Sequence, residues 1–390
     1  MSNAMRNQGR FIMLEYATLK VIWWMLVGAL LMGFAIMDGH DMGVGALLPW
    51  VARNDDERRV AINTIGPHWD GNQVWFITAG GAVFAAWPLV YATAFSGMYW
   101  ALLAVLWALF FRPVGFDYRS KVKNQRWRST WDWGLFIGGA VPALLFGVAF
   151  GNLFLGLPFH FDADLRSYYT GSFWQLLHPF ALLSGVVSLS MLIMHGGNYL
   201  ALRTEADIQQ RARNASRIAG IVLMVSFLAA GYWLRFLPGY ELVNAPDANA
   251  LPNPLGKSVI MTTGGWLLRY QVVPWMAALP VLTLLGVVAS MYFISIQKDG
   301  LAFIMSALVN CGVITTAGVA LFPFIMPSST HPQSSLTVWD SVSSKGTLGI
   351  MLVAVVIFLP MVIAYTSWAY KVMSGKVTLE FIQKNDKSAY

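Results

Sequence analysis

Long apolar stretches alternate with short polar loops along the chain, and the lengths of those stretches set the fold class. A helix that crosses a bilayer needs about 20 mostly apolar residues. Nine stretches qualify, at roughly 17–38, 70–90, 92–111, 133–155, 173–200, 216–237, 265–294, 300–326 and 346–372. None alternates apolar and polar residues over about ten positions, as a membrane-barrel strand would. The pattern therefore predicts an all-α transmembrane protein of nine helices. The outer loops, 156–172 and 238–264, are too short for soluble domains. Residues 14–390 read as one polytopic membrane domain, and residues 1–13 as an N-terminal extension whose Ser2-Asn3-Ala4 resembles a tag remnant.

Composition agrees with this and adds an orientation. The chain is 57% hydrophobic and 12% charged, with a mean hydropathy of +0.56, against about 25% charged residues in soluble domains. Its 17 Trp and 14 Tyr suit the headgroup level of a bilayer. The single cysteine, Cys311, excludes an internal disulfide and a thiolate metal cluster. A net charge of +7 could suggest nucleic acid, but the basic residues are spread over loops rather than gathered in a patch. No nucleic-acid partner is expected, and membrane lipids are. Of the 26 basic residues, Arg6, Arg10, Lys20, Arg166, Arg235, Lys257, Arg269 and Lys345 fall in one set of alternate loops. The remaining 18 fall in the other set, which the positive-inside rule makes cytoplasmic. That places the N-terminus outside (periplasmic) and the C-terminus in the cytoplasm.

Several polar clusters interrupt the apolar pattern. Asn63-Thr64-Ile65-Gly66-Pro67-His68-Trp69-Asp70-Gly71-Asn72-Gln73 sets an acid, an imidazole and amides at the start of a span. Ionisable residues inside a bilayer cost several kcal/mol and commonly mark a proton, ion or substrate route. A helix running unbroken from Asp55 to Pro88 would approach 50 Å at 1.5 Å per residue, so a kink is expected at Gly66-Pro67. Asp70 is then either interfacial or inside. Asp38 and Asp41, three residues apart at the end of the first span, share one helix face, whereas His40 points away from them and reads as a surface residue. Asn54 and Glu57 form a helix cap. In Phe111-Arg112-Pro113-Val114-Gly115-Phe116-Asp117-Tyr118-Arg119-Ser120-Lys121, Asp117 can pair with Lys121, and Arg112 snorkels at the membrane edge. That segment reads as a cytoplasmic anchor or a proton-entry vestibule. Asp132 can cap the fourth span, while Asn152, His178, His195 and Asn310 read as helix-to-helix hydrogen bonds. No nucleotide loop, paired-His metal motif or catalytic serine arrangement is present, so no metal site is expected.

Several of these segments are recognisable. Gly66-Pro67-His68-Trp69-Asp70-Gly71-Asn72-Gln73-Val74-Trp75, Phe84-Ala85-Ala86-Trp87-Pro88 and the Phe111 to Arg119 run resemble subunit II of the cytochrome bd family of quinol oxidases. So do Asp38-Gly39-His40-Asp41-Met42-Gly43-Val44-Gly45 and Leu321-Phe322-Pro323-Phe324-Ile325-Met326-Pro327-Ser328-Ser329. The resemblance covers about Leu14 to Tyr390. It implies two four-helix bundles plus one peripheral helix, and a heterodimer with a haem-bearing subunit I in the bacterial cytoplasmic (inner) membrane. That complex oxidises quinol and reduces dioxygen to water. The b and d haems are expected in subunit I, with none ligated by this chain, and a small accessory subunit is a further partner.

Carried over residue by residue, the family pattern implies a proton path through Lys121 and Asp117 at the cytoplasmic entrance and Asp70 deeper in, with Arg112 nearby. It also implies a structural quinone near Asp41, Trp69 and Asp132. His40 departs from the pattern, which commonly has an apolar residue there. Two rivals stand beside the proton-path reading: a purely structural subunit of the same complex, and a secondary transporter, whose broken helices should occur in matching halves.

Overall fold

A computed structural model describes residues 14–244, 246–384 and 390. The proposed extension, 1–13, lies outside the described residues. In chain order the helices and strands are α1 (Tyr16–Val51), α2 (Asp55–Ile65), α3 (Trp69–Ala86), α4 (Pro88–Gly97), α5 (Tyr99–Leu109), α6 (Phe111–Tyr118) and α7 (Gln125–Leu155). Then come β1 (Phe159–Phe161), β2 (Ser167–Tyr169), α8 (Pro179–Arg203), α9 (Ala206–Trp233), β3 (Pro238–Asn244), β4 (Ser258–Thr263), α10 (Gly265–Val272), α11 (Ala278–Ser295) and α12 (Asp299–Leu321). The chain closes with β5 (Phe324–Met326), β6 (Leu336–Thr337), α13 (Lys345–Val372) and α14 (Leu379–Lys384). Among the described residues, eight helices are long and apolar enough to cross a membrane. The pair α3 and α4, bent by 119°, brings the number to nine if it counts as one span.

The expected span 92–111 is broken between α4 and α5, and α7 and α9 start earlier than expected, at Gln125 and Ala206; three further boundaries differ for identifiable reasons. The first span does not end at Asp38: α1 continues to Val51 and buries Asp38 to Leu48. Gly39, Gly43 and Gly45 do not stop it, because neighbouring helices press against them. The stretch 265–294 is not one helix, since Pro274 cannot donate a helical hydrogen bond and a 3-10 turn separates α10 from α11. The fifth span begins at Pro179, where the His178 ring nitrogen accepts the Phe180 N–H, rather than at 173. The break at Gly66-Pro67 falls between α2 and α3. Asn54 caps α2 by accepting the Glu57 N–H at 2.8 Å, but the Glu57 carboxylate takes the N–H of Arg53, not of Asn54.

Helices α1, α7 and α8 meet at the centre, and glycine makes their approach possible. Small residues let membrane helices pack backbone to backbone. A Cβ at Gly43 would overlap the Leu192 carbonyl, one at Gly196 would strike the Gly43 backbone, and one at Gly139 would overlap the Met42 carbonyl. Between α7 and α8, Gly147 faces the Ser184 carbonyl in the same way. By contrast α13 buries little besides Leu348.

The two ends of the bundle are built differently. One end carries three small antiparallel hairpins, β1 with β2, β3 with β4, and β5 with β6, in loops too short for their alternation to be visible in the sequence. There Trp266 packs among Phe154, Tyr240 and Phe324 and donates its indole N–H to the Phe154 carbonyl. A buried ion pair, Lys257 to Asp340 at 2.9 Å, ties the stretch before β4 to the stretch between β6 and α13. Burial lowers the Lys257 ammonium and raises the Asp340 carboxyl, because each loses hydration when charged.

The opposite end is rich in arginine. Arg119 joins Asp132 and Asp55, Arg58 reaches Asp132, and Arg128 pairs with Asp55, so α2, α7 and the turn after α6 are held together. Arg211 pairs with Glu57, and Arg213 grips Asp299 with two hydrogen bonds of 2.7 and 2.9 Å.

Two predictions follow from packing and burial. Gly43→Ala should lower stability by about 3 kcal/mol, the upper range for overpacking, whereas Gly349→Ala, which meets open space, should stay within about 1 kcal/mol. Thermal melts followed by tryptophan fluorescence in detergent compare them. At the buried pair, Lys257→Met alone should cost about 3–5 kcal/mol by stranding Asp340. Lys257→Met combined with Asp340→Asn should recover most of that loss in the same melt, and equal losses in single and double variants would refute the assignment.

Candidate functional site

The polar centre of the membrane domain grows from one turn of α1. Asp38 and Asp41 lie on the same face, as their spacing requires, and Asp38 receives Arg112 of α6 in a two-pronged contact at 2.5 and 2.9 Å. Both side chains are almost wholly buried. Arg112 therefore does not snorkel at an edge: it crosses to α1 and lies over the Trp69 ring, which itself stacks on Phe116. A planar guanidinium saturates one carboxylate in this geometry. Asp41, one turn away, receives a single hydrogen bond, from the Asn72 amide to Oδ2 at 2.7 Å, and its Oδ1 has no donor.

The imidazoles gather around that free oxygen. His40 is 1% exposed, so its reading as a surface residue is corrected. Its backbone sits within an α1 that continues for a further eleven residues and is enclosed by α8, α12 and α13. A carbonyl can only accept, so the ring nitrogen facing one carries the proton. His40 Nδ1 donates to the Ile36 carbonyl at 2.9 Å, which leaves Nε2 facing Asp41 Oδ1 at 3.2 Å. His68, in the α2–α3 turn, donates from Nε2 to the Thr64 carbonyl at 3.1 Å, and its Nδ1 stands 3.6 Å from the same Asp41 oxygen. Tyr370 of α13 reaches in between them, with its hydroxyl 3.3 Å from His68 Nδ1 and 3.4 Å from His40 Nε2. His195 takes its expected role as a helix-to-helix bond, joining Ser306 and the Ile36 carbonyl.

The outer residues anticipated for the site lie between this centre and the arginine-rich end. Asp70 and Asp117 are exposed, and both act on the Tyr390 hydroxyl, whose pKa is raised first by burial and then by these two carboxylates. Tyr390 is itself fixed by paired hydrogen bonds with the Asn63 amide and packs edge-on against Phe116. Asp70 acts electrostatically on Arg112 as well, together with Asp38 and Asp41. Lys121 is exposed in the 3-10 turn after α6 and does not pair with Asp117, because the helix stops at Tyr118 and the i, i+4 geometry is lost. Asp132 is not a cap. It is buried under Arg58 and Arg119, in a different ion cluster from Asp41. A cavity of about 360 Å³, lined by Asn63, Thr64, His68, Arg203, Lys376 and Tyr390 among others, opens this end toward His68.

Tyr199 of α8 completes the group, with its hydroxyl 2.9 Å from His68 Nε2 and donating to the Thr64 carbonyl at 3.1 Å; Asn72, Tyr199, Tyr370 and Tyr390 were not anticipated as members of the site. Asn72 stood within the recognised motif, whereas Tyr370, a tyrosine in an apolar span, carried no signal of the kind that marked His195. Tyr390 carried no such signal.

Two cofactors can be tested against the donors present. A haem needs a nitrogen or sulfur ligand beside a ring-sized space. The large intramembrane cavity, about 420 Å³, is lined by Phe34, Phe76, Phe146 and Phe150 with one thioether, Met191, and no imidazole or cationic side chain. His195, the nearest candidate by burial, has both ring nitrogens engaged. These residues do not fit a haem. A quinone ring beside Asp41 would meet a space of about 10 Å³, and Trp69 and Asp132 do not line it. Asp41 and Asp132 sit in separate polar clusters, and Trp69 lies between Arg112 and Phe116.

The comparisons with known proteins agree with one another. The family model described as cytochrome bd terminal oxidase subunit II matches residues 19–373. The chain is 52% identical over 378 residues to a probable cytochrome oxidase subunit 2 of Haemophilus influenzae, covering 97% of this chain and 100% of that protein. It is 50% identical over 379 residues to cytochrome bd-I ubiquinol oxidase subunit 2 of Escherichia coli, with the same coverages. The Bacillus subtilis cytochrome bd ubiquinol oxidase subunit 2 is 34% identical over 366 residues, covering 93% of this chain and 98% of that one. In fold, the chain matches a chain of the bd oxidase structure from Geobacillus thermodenitrificans with a TM-score of 0.66 at 16% identity, over 91% of this chain and 98% of that chain. Matched by that family model over 19–373 and at least 50% identical to two of these relatives over 97% of its length, the chain belongs to the cytochrome bd terminal oxidase subunit II family.

Proposed function

We propose that this subunit supplies a proton path to a quinol-oxidising, dioxygen-reducing complex whose haems are held by subunit I. Reduction of dioxygen to water consumes protons, and a buried reaction centre needs a hydrophilic route through apolar protein. The observation that carries the reading is a graded series of carboxylates. Asp117 and Asp70 are exposed and act electrostatically on Tyr390, Asp70 acts likewise on Arg112, which is bound to Asp38, and Asp41 is wholly enclosed with one oxygen lacking a donor. Lys121 stands beside the entrance as a mobile charge on a long stem. Arg112, locked on Asp38, acts as a fixed charge that favours anionic carboxylates around it rather than as a carrier, since an arginine side chain does not release its proton.

The same reading sets the arginine-rich end in the cytoplasm, which puts α1 with its N-terminus at the periplasm and α13 with its C-terminal end at the cytoplasm of a bacterial inner membrane. It arranges α1, α3, α5 and α7 as one four-helix bundle and α8, α9, α11 and α12 as a second, with α13 peripheral. The packing of α1 on α3 and α7, of α8 on α9 and α12, and of α11 on α12 supports that grouping. Residues 14–390 then act as one membrane domain.

The experiment compares Asp70→Asn and Asp117→Asn in complexes whose haem spectrum is unchanged. Quinol-driven oxygen consumption should fall about tenfold or more for Asp70→Asn, within the usual range for a lost proton-transfer group. The deficit should deepen as pH rises and protons become scarce. Normal turnover and proton uptake in both variants would favour a purely structural subunit. A separate outcome is expected at the ion pair: Asp38→Asn leaves Arg112 buried without its anion, at a cost of about 3–5 kcal/mol, and should be read as lost assembly rather than slowed turnover.

A further inference from the structure

We propose that His40, Asp41, His68 and Tyr370 form a binding site for a zinc-class divalent cation. The hydrogen bonds to the Ile36 and Thr64 carbonyls fix the protons of His40 and His68 on the far side of each ring. Three electron-rich atoms, His40 Nε2, His68 Nδ1 and Asp41 Oδ1, are thereby turned on one another within 4.8 Å, all on buried residues. The Asn72 amide lies 3.0 Å from His68 Nδ1 and 2.7 Å from the Tyr370 hydroxyl, so a bound cation would displace that neutral donor from both atoms. Asp41 Oδ1, which no donor satisfies, is aimed into this space.

The distances suit an ion. Bonds of about 2.0–2.1 Å to a tetrahedral zinc put neighbouring ligand atoms about 3.3 Å apart. The spacings here are 3.2 Å from His40 to Asp41, 3.6 Å from His68 to Asp41, 3.3 Å from Tyr370 to His68 and 3.4 Å from Tyr370 to His40. Carbonyls behind both imidazoles, and Asn72 on the second Asp41 oxygen, supply the outer contacts that orient ligands at a metal. Two imidazoles with one carboxylate and one phenol select a borderline cation of the zinc type over magnesium or calcium, which take oxygen ligands. Asp38 is neutralised by Arg112, so Asp41 would supply the anionic ligand, giving up its proton where it holds one as the metal binds.

Entry is available through the cavity that reaches His68, although Arg203 and Lys376 line it and will slow a cation's approach. Ligation would tie α13, which buries little else, to α1 and to the α2–α3 turn. The site does not depend on the proton-path reading, because metal content reports it without turnover.

The test uses the intact detergent-solubilised complex, stripped with a chelator, incubated for hours with stoichiometric zinc chloride and desalted. Mass spectrometry of zinc per haem set should show a retained ion, and its X-ray absorption should give two imidazole nitrogens and oxygen ligands at about 2.0–2.1 Å. His40→Phe should abolish retention, and Tyr370→Phe should weaken it at least tenfold. No retained zinc in the unmodified complex, or unaltered retention in His40→Phe, overturns the proposal. Should His40→Phe fail to assemble a complex with a normal haem spectrum, unaltered affinity in Tyr370→Phe overturns it instead.

Discussion

The clasp between Arg112 and Asp38 organises the polar centre because it resolves one charge conflict and leaves another. Two carboxylates one helical turn apart, in an apolar interior, share a single guanidinium. The fork of Arg112 saturates Asp38, and no second cation reaches Asp41 among the described residues. Asp41 is therefore served by neutral groups, Asn72 above all, with imidazoles on its open side. The clasp also draws α6 onto α1 and places the Trp69 and Phe116 rings in a stack beneath the cation. Without it, the turn that carries Trp69 and Asp70 would lose the charged surface on which it rests.

That clasp can exist only because the helices around it come unusually close. Where Gly43, Gly139 and Gly196 sit, α1 meets α7 and α8 with no side chain between the backbones. Close approach is what allows a side chain as short as Asp38 to meet an arginine from another helix without water. The same closeness accounts for the length of α1. Its glycines would weaken an isolated helix by about 0.5–1 kcal/mol each relative to alanine, yet Gly33, Gly39, Gly43 and Gly45 each admit a neighbour, and the helix runs on to Val51.

Much of the architecture was legible in the sequence because a bilayer imposes one dominant rule, a continuous apolar length. The spans starting at residues near 17, 300 and 346 emerged from that rule within a residue, as did the break at Gly66-Pro67, whereas α7 and α9 begin at Gln125 and Ala206, in polar turns ahead of the apolar length expected from 133 and 216. The rule says nothing about which face of a helix meets a neighbour. His40 was misread for that reason: its direction on α1 was judged against the Asp38 and Asp41 face alone, whereas α8 and α13 approach from the other sides and enclose it. Arg112 was misread through the same gap, since a residue at a span's end looks interfacial until its partner on a distant helix is known. The hairpins escaped because strands of two to seven residues carry too little alternation to register.

The site itself was half legible, and the division follows chemistry. Asp41, Asp70 and His68 sit in dense polar runs that no apolar span would carry without cause. Tyr370 and Tyr199 do not, because a tyrosine is ordinary in a membrane helix and its hydroxyl gains meaning only from what it faces. Here both phenols turn inward and share the imidazoles of His40 and His68. A proton and a divalent cation would seek the same electron-rich space beside Asp41 Oδ1. The two occupants differ in what they demand of the surroundings. A proton needs one donor–acceptor line and can leave along it, whereas a metal needs several lone pairs at matched distances and holds them together. The spacings of 3.2 to 3.6 Å on Tyr370, His40, His68 and Asp41 meet the second demand, and the chain of carboxylates outside meets the first.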